Sequence, residues 1–358
     1  MAAEKTIQKA GRLQHLDFLR IIAIFMVLFN HTGTNGFVLF TIARESYLYG
    51  FYLFLAIFIK IAVPLFFMIS GALLLSRGID VYIVRKKFLK FLIILISCSL
   101  VTYLSFLRFN IHDFSLEYFI TTIYSSNIDV AYWYLYSYIA YILLLPILSV
   151  LAQSLSNKQY IYMIIIYFLM QCLSIVQYII WKGQLSYNGS FSLFIMGSNI
   201  FYPLLGYFIE ERVPEKYYTK KVLALMACIS VISIIICCLL TDYHCNLINE
   251  WSEATCQNFF GTLIFIPAAT VYFAAKMWFA SHRLSGNPGK ILTIAGSCTF
   301  GIYLFEHIYR KVTSSIFTSL LPYLHTLPSC IIWILSACFL GTAVTIVLKK
   351  IPVIKKYI

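Results

Sequence analysis

The sequence predicts an all-α fold, a polytopic membrane bundle of about ten transmembrane helices with both termini in the cytoplasm. Three observations predict it. The 358 residues are 61% hydrophobic and only 11% charged, with a mean hydropathy of +0.84. The apolar residues fall into runs long enough to cross a bilayer. Lys and Arg gather in alternate connecting segments. A soluble domain of this size could not stay in solution with so little charge, since roughly a quarter of ordinary residues are charged. The 17% aromatic content agrees, because Trp and Tyr collect at membrane interfaces.

Crossing the hydrocarbon core takes about 20 apolar residues in a helix. Ten such runs are present: 17–38, 50–76, 88–107, 131–151, 160–181, 191–209, 222–241, 258–279, 291–310 and 329–349. The run 88–107 is nearly pure Leu, Ile, Val and Ser. The more polar stretch 108–130 reads as a long loop. No internal repeat or low-complexity linker divides the chain, so residues 1–358 are expected to form a single domain.

With the N-terminus inside, twenty of the 27 Lys and Arg residues fall in cytoplasmic segments and five outside. The inside groups include Lys5, Lys9 and Arg12, the cluster Arg85, Lys86, Lys87 and Lys90, and Lys349, Lys350, Lys355 and Lys356. The outside five are Arg44, Arg108, Lys182, Arg310 and Lys311. The positive-inside rule then puts both ends in the cytoplasm, which an even number of spans allows. The same distribution excludes a nucleic-acid reading of the +13 net charge, because the basic excess is spread over six segments with a topological cause. No cleavable signal peptide is expected, since the first apolar run is too long and lacks a small-residue cleavage site.

The ten cysteines show neither C-x-x-C pairs nor metal spacing, and no metal is expected. Cys245 and Cys256 share one polar loop, where an outside location permits a disulfide. The other eight lie in apolar runs and read as small hydrophobes.

The informative residues are the ionisable ones inside apolar runs. A lone charge at the bilayer centre costs about 2.5–3.5 kcal/mol on insertion scales, so it is normally paired and functional. The first run carries Asp17, Arg20 and His31. Asp17 and Arg20, three apart, are placed to pair. Arg20 and His31, eleven apart, lie on one helix face roughly 16 Å apart along the axis. The alternative for the pair is an interfacial anchor, and for His31 a polar cap at the helix end beside Asn30 and Thr32. Lys60 in the second run sits near the expected depth of His31, where an ammonium would favour the neutral imidazole that a general base needs; the alternative is a snorkelling Lys. Pro64, four residues on, is expected to kink that helix. Near the outer end of the ninth run stand Tyr303, Glu306 and His307. Adjacent residues point about 100° apart on a helix, so at most one of Glu306 and His307 faces the His31 stripe.

These residues belong to a recognisable pattern. The segment LDFLRIIAIFMVLFNH, with Arg20 and His31 separated by ten residues, resembles the opening motif of the membrane acyltransferase 3 family. Further matches follow in order: VPLFFMISGALLL around Ser70 and Gly71, VRKKFLKFLI, AYWYLYSYIAYILLLPIL around Trp133 and Pro146, YPLLGYFI around Gly206, and SCTFGIYLFEH around Tyr303 and His307. Each block alone is weak, and the ordered set is fairly specific. The resemblance implies about ten helices, a cytoplasmic acyl-coenzyme A donor such as acetyl-CoA, and a hydroxyl acceptor on an extracytoplasmic glycan or its lipid-linked precursor. It also implies a location in the bacterial cytoplasmic membrane. It centres catalysis on Arg20 and His31, and implies a member without the C-terminal hydrolase-like domain that some relatives carry.

The expected roles follow. His31 is the general base or a transient acyl carrier, and Arg20, oriented by Asp17, holds the donor. Arg85, Lys86 and Lys87 are candidates for the coenzyme A phosphates, although Lys lacks the bidentate fork of Arg and the cluster also serves topology. Glu306 or His307 orients the acceptor, with Lys60, Ser70, Trp133 and Tyr303 as binding residues. The competing reading is an exporter or flippase for a glycan or lipid-linked sugar, because intramembrane charge also marks transport pathways. A membrane acyltransferase with its catalytic His on a late helix would instead make His307 central.

Overall fold

The structure, a computed structural model, describes residues 13–182 and 193–358. Lys5, Lys9, Arg12 and the start of the run 191–209 lie outside the described residues. Among the described residues the fold is helical with no strand. The principal helices are α1 (Gln14–Asn30), α2 (Tyr49–Ile59), α3 (Ala62–Leu74), α4 (Val81–Phe106), α5 (Leu116–Ser125), α6 (Trp133–Ser154) and α7 (Asn157–Trp181). They continue with α8 (Ser198–Tyr207), α9 (Lys220–Ile248), α10 (Phe265–Ser281), α11 (Gly286–Leu304), α12 (Glu306–Val312), α13 (Ser314–Leu320) and α14 (Thr326–Leu348).

Six helical stretches of the described residues are long and apolar enough to cross a membrane, with α2 and α3 counted together; the bent pair α11 and α12 makes a seventh. The other apolar runs are helical but shorter: α1 and α10 have 17 residues each and α8 has ten. The first run breaks at Asn30 because the chain turns there. Thr32 donates to the Phe29 carbonyl and accepts from the Phe37 amide, and Gly33 takes φ +54°, a conformation open to glycine at no steric cost. The second run breaks at Lys60 and Ile61, between α2 and α3. Pro64 supplies no N–H to the Lys60 carbonyl four residues earlier, and its ring crowds that carbonyl.

The loop expected over 108–130 contains α5. Ser115 caps it by accepting from the Tyr118 amide, and Phe119 stacks on Tyr103 of α4. The helix is short and amphipathic, so its polar face dilutes the apolar signal that a span-length window detects.

Outer helices such as α7 and α9 leave large apolar side chains uncovered, including Leu169 and Leu239. Water would penalise that surface and lipid would not. At the centre, α1 packs against α3, α10, α11 and α14. Glycines make the closest crossings. A Cβ on Gly71 of α3 would fall 1.9 Å from the Pro203 carbonyl oxygen of α8, and one on Gly206 of α8 would fall 2.1 Å from the Met68 oxygen of α3. The two motif glycines are therefore the contact at which these backbones touch, as small residues do between helices in membranes. Cys245 and Cys256 approach to 3.1 Å as two buried free thiols, not as a disulfide.

Candidate active site

Helix α1 is the spine of the site. Asp17 is fully buried against Gly296 of α11, where a Cβ would meet the carboxylate side chain at 2.6 Å. Its Oδ1 accepts from Arg20 at 2.7 Å. The pairing fixes Arg20 from the closed side and leaves its guanidinium at the wall of a cavity of about 950 Å³.

The same cavity reaches His31, three turns along α1, together with Asn30, Lys60, Ser70, Trp133 and Tyr303. His31 is the residue that ends α1. Its Nδ1 donates to Glu306 Oε1 at 2.9 Å, since an ionised carboxylate only accepts. No partner for Nε2 is present among the described residues, and the ring lines the cavity. Glu306 is 2% exposed. Arg310, one turn along α12, donates to Glu306 Oε2 from Nε at 2.5 Å and to Oε1 from a terminal nitrogen at 3.1 Å. Its other terminal nitrogen reaches the His31 carbonyl at 2.7 Å. Arg310 thus neutralises the buried carboxylate and ties it to the end of α1 at once, as a forked guanidinium can.

An 89° bend between α11 and α12 makes this possible. It falls at Phe305, so Glu306 opens a new helix that points its carboxylate at His31. Just before the bend, Tyr132 donates to the Leu304 carbonyl at 2.7 Å, and Tyr303 donates to the Ala131 carbonyl at 2.7 Å. The two tyrosines lock the start of α6 onto the end of α11. His307 turns away and meets Phe106 edge-on at 4.9 Å; it does not line the cavity.

The remaining sequence candidates divide. Lys60 sits in the break between α2 and α3, donates to Gln257 Oε1 at 3.0 Å and lies over the Phe37 ring. Gln257 in turn donates to Glu253 at 3.0 Å, and both line the cavity. Ser70 lines the wall with its hydroxyl on the Phe66 carbonyl, and Trp133 stands half-exposed beside it. Of the basic cluster on α4, Lys87 and Lys90 line the cavity, whereas Arg85 and Lys86 are exposed and do not. The three-residue spacing of Lys87 and Lys90 puts them on one face.

Two residues were missed from sequence. Arg310 reads there as one of five outside basic residues, although its position one turn after Glu306 carries an i,i+4 ion-pair signal. Asn30 reads only as a polar neighbour of His31 at the helix end. Its side-chain oxygen is buried in the cavity wall without a partner, and a buried amide oxygen is ordinarily satisfied.

No curated protein and no solved structure matches the chain. The family profile described as "Acyltransferase domain" matches residues 13–350, a range that holds every residue of the cavity and of the His31–Glu306–Arg310 array. The chain is therefore an acyltransferase that belongs to the membrane acyltransferase 3 family.

Proposed function

We propose that the protein transfers an acetyl group from cytoplasmic acetyl-CoA to a hydroxyl of an extracytoplasmic or lipid-linked glycan, in the cytoplasmic membrane of a bacterial cell. The observation that carries this reading is the junction of two chemistries in one cavity. Arg20, Lys87 and Lys90 supply positive charge along one part of the wall, and the His31–Glu306 pair supplies a proton acceptor along another. Ten crossings with both termini inside would put the basic end toward the cytoplasm and His31 toward the outside.

In this scheme Arg20 and the two lysines hold the anionic donor. The acceptor hydroxyl docks with its proton toward His31 Nε2. As that nitrogen takes the proton, the oxygen attacks the thioester carbonyl carbon. The C–S bond then breaks, and the departing thiolate takes the proton back from the imidazolium. Glu306 faces Nδ1 throughout, so the positive ring forms beside a carboxylate already in place. A positioned general base of this kind contributes about 10²–10⁴-fold. A two-step route, with the acetyl group carried briefly on the same nitrogen, uses the same geometry. Asn30, one residue before His31, also lines the cavity, and its side-chain amide would meet a second hydroxyl of the acceptor.

The reading is tested by release of free coenzyme A from acetyl-CoA, measured with membrane-embedded protein and a cell-envelope glycan fraction. Release that depends on glycan and is lost in Arg20→Ala supports it. Glycan movement across the membrane with no thioester turnover points instead to an exporter.

A further inference from the structure

A second cavity, of about 630 Å³, shares no lining residue with the first. It lies among α7, α8, α9 and α10, and the lining residues define its direction. On α7 they run from Asn157 to Ile164, on α9 from Val222 to Ile229, and on α10 from Phe265 to Phe273. The stretches are eight or nine residues long, about 10–13 Å of helix. Asn157 and Val222 stand near the starts of their helices. The groove therefore opens at the level of the helix ends and closes about two turns deeper.

The two ends differ in chemistry. The depth is apolar, and its one hydroxyl, on Thr270, is already engaged by Ser230 and by the Ile266 carbonyl. At the mouth stand Arg212 and Lys216. Arg212 gives one nitrogen to the Gln153 carbonyl and lies over the Tyr207 ring, and Lys216 lies over the Tyr217 ring. Among the described residues neither forms an ion pair with a carboxylate. Lys158, Lys220 and Lys221 sit at the same level at the starts of α7 and α9. The nearby acids Glu211 and Glu215 leave that end basic. The walls include lipid-facing positions, among them Ile161 and Ile229.

We propose that this groove binds an anionic glycerophospholipid of the surrounding membrane, with one acyl chain in the apolar depth and the phosphate at Arg212 and Lys216. A basic mouth on an apolar groove selects a molecule with a negative head and an alkyl tail. A neutral lipid would leave the two cations without a counter-charge, and a free phosphate would leave the depth empty. The site is independent of acyl transfer and stands or falls separately from it.

The test uses the full-length protein, delipidated in neutral detergent, and follows its thermal unfolding midpoint. The ligands are phosphatidylglycerol, phosphatidylcholine, glycerol 3-phosphate and palmitoyl-CoA. Phosphatidylglycerol is expected to stabilise at about tenfold lower concentration than phosphatidylcholine, given the attraction of basic residues at a membrane surface to anionic headgroups. Arg212→Gln with Lys216→Gln should remove that preference, and Ala269→Trp, which fills the groove, should remove saturable stabilisation. The glutamine pair lies at the rim, so its result stands even if the tryptophan variant fails to fold. Equal affinity for the two lipids overturns the proposal, as does a preference that persists in the glutamine pair. Stabilisation by glycerol 3-phosphate alone, or tighter competitive binding of palmitoyl-CoA, overturns it as well.

Discussion

Glu306 Oε1 lies 2.9 Å from Nδ1 of His31, across 275 residues of sequence. A carboxylate held there fixes which ring nitrogen carries the proton and leaves Nε2 toward the cavity. Glu306→Gln keeps the size of the side chain and removes its charge. The rate of acyl transfer should fall by about 10²–10⁴-fold with little change in donor KM, the scale seen when a neutral amide replaces the acid behind a catalytic His. Initial rates of coenzyme A release check this. A rate within threefold of wild type would remove Glu306 from the mechanism.

Arg310 should behave as the counter-ion of Glu306. Breaking a buried pair by removing one partner costs about 3–5 kcal/mol, so Arg310→Ala should unfold at markedly lower temperature. Arg310→Lys should recover only part of the loss, because an ammonium cannot span both carboxylate oxygens and the His31 carbonyl as the guanidinium does. Thermal unfolding in detergent gives the comparison.

Much of this site is legible in the sequence, and the gaps have physical causes. Asp17, Arg20 and His31 stand out because charge in an apolar run needs a reason. Glu306 stands out for the same reason. Arg310 does not, because a basic residue at the outer end of a run reads as one whose charged head reaches water. The 89° bend is hidden as well. CTFGIYLFEHIYR contains no proline, and its one glycine, Gly301, lies a full turn before Phe305, so nothing at the bend itself announces that the helix turns there; the turn is held from outside by Tyr132 and Tyr303. The helical runs were legible because apolar length is a local property. Helix α5 was not, because its apolar stripe is narrow. The close crossing at Gly71 and Gly206 is visible only once α3 and α8 are brought together.

Asn30 should separate function from stability. Its side-chain oxygen has no partner to lose, so Asn30→Ala should leave the unfolding temperature unchanged or higher. Transfer to the glycan should nevertheless fall by about tenfold, as expected when a hydrogen bond to substrate is removed. Equal activity of the variant and the wild type would make Asn30 a structural residue.

Gly71→Ala and Gly206→Ala should each push α3 and α8 apart. The added methyl would meet backbone, which cannot swing aside. Overpacking of this kind costs about 1–3 kcal/mol or more. Lower expression and a lower unfolding temperature are expected for both, whereas Gly50→Ala, with nothing within 4 Å, should be silent.

The most direct measurement compares wild type with His31→Ala in lipid nanodiscs, with equal size-exclusion profiles and unfolding temperatures. Each is given acetyl-CoA labelled in the acetyl group and an envelope glycan fraction. The wild type should transfer label to glycan, and His31→Ala should transfer none above background while still binding the donor through Arg20. Undiminished transfer by a well-folded His31→Ala protein would contradict the account.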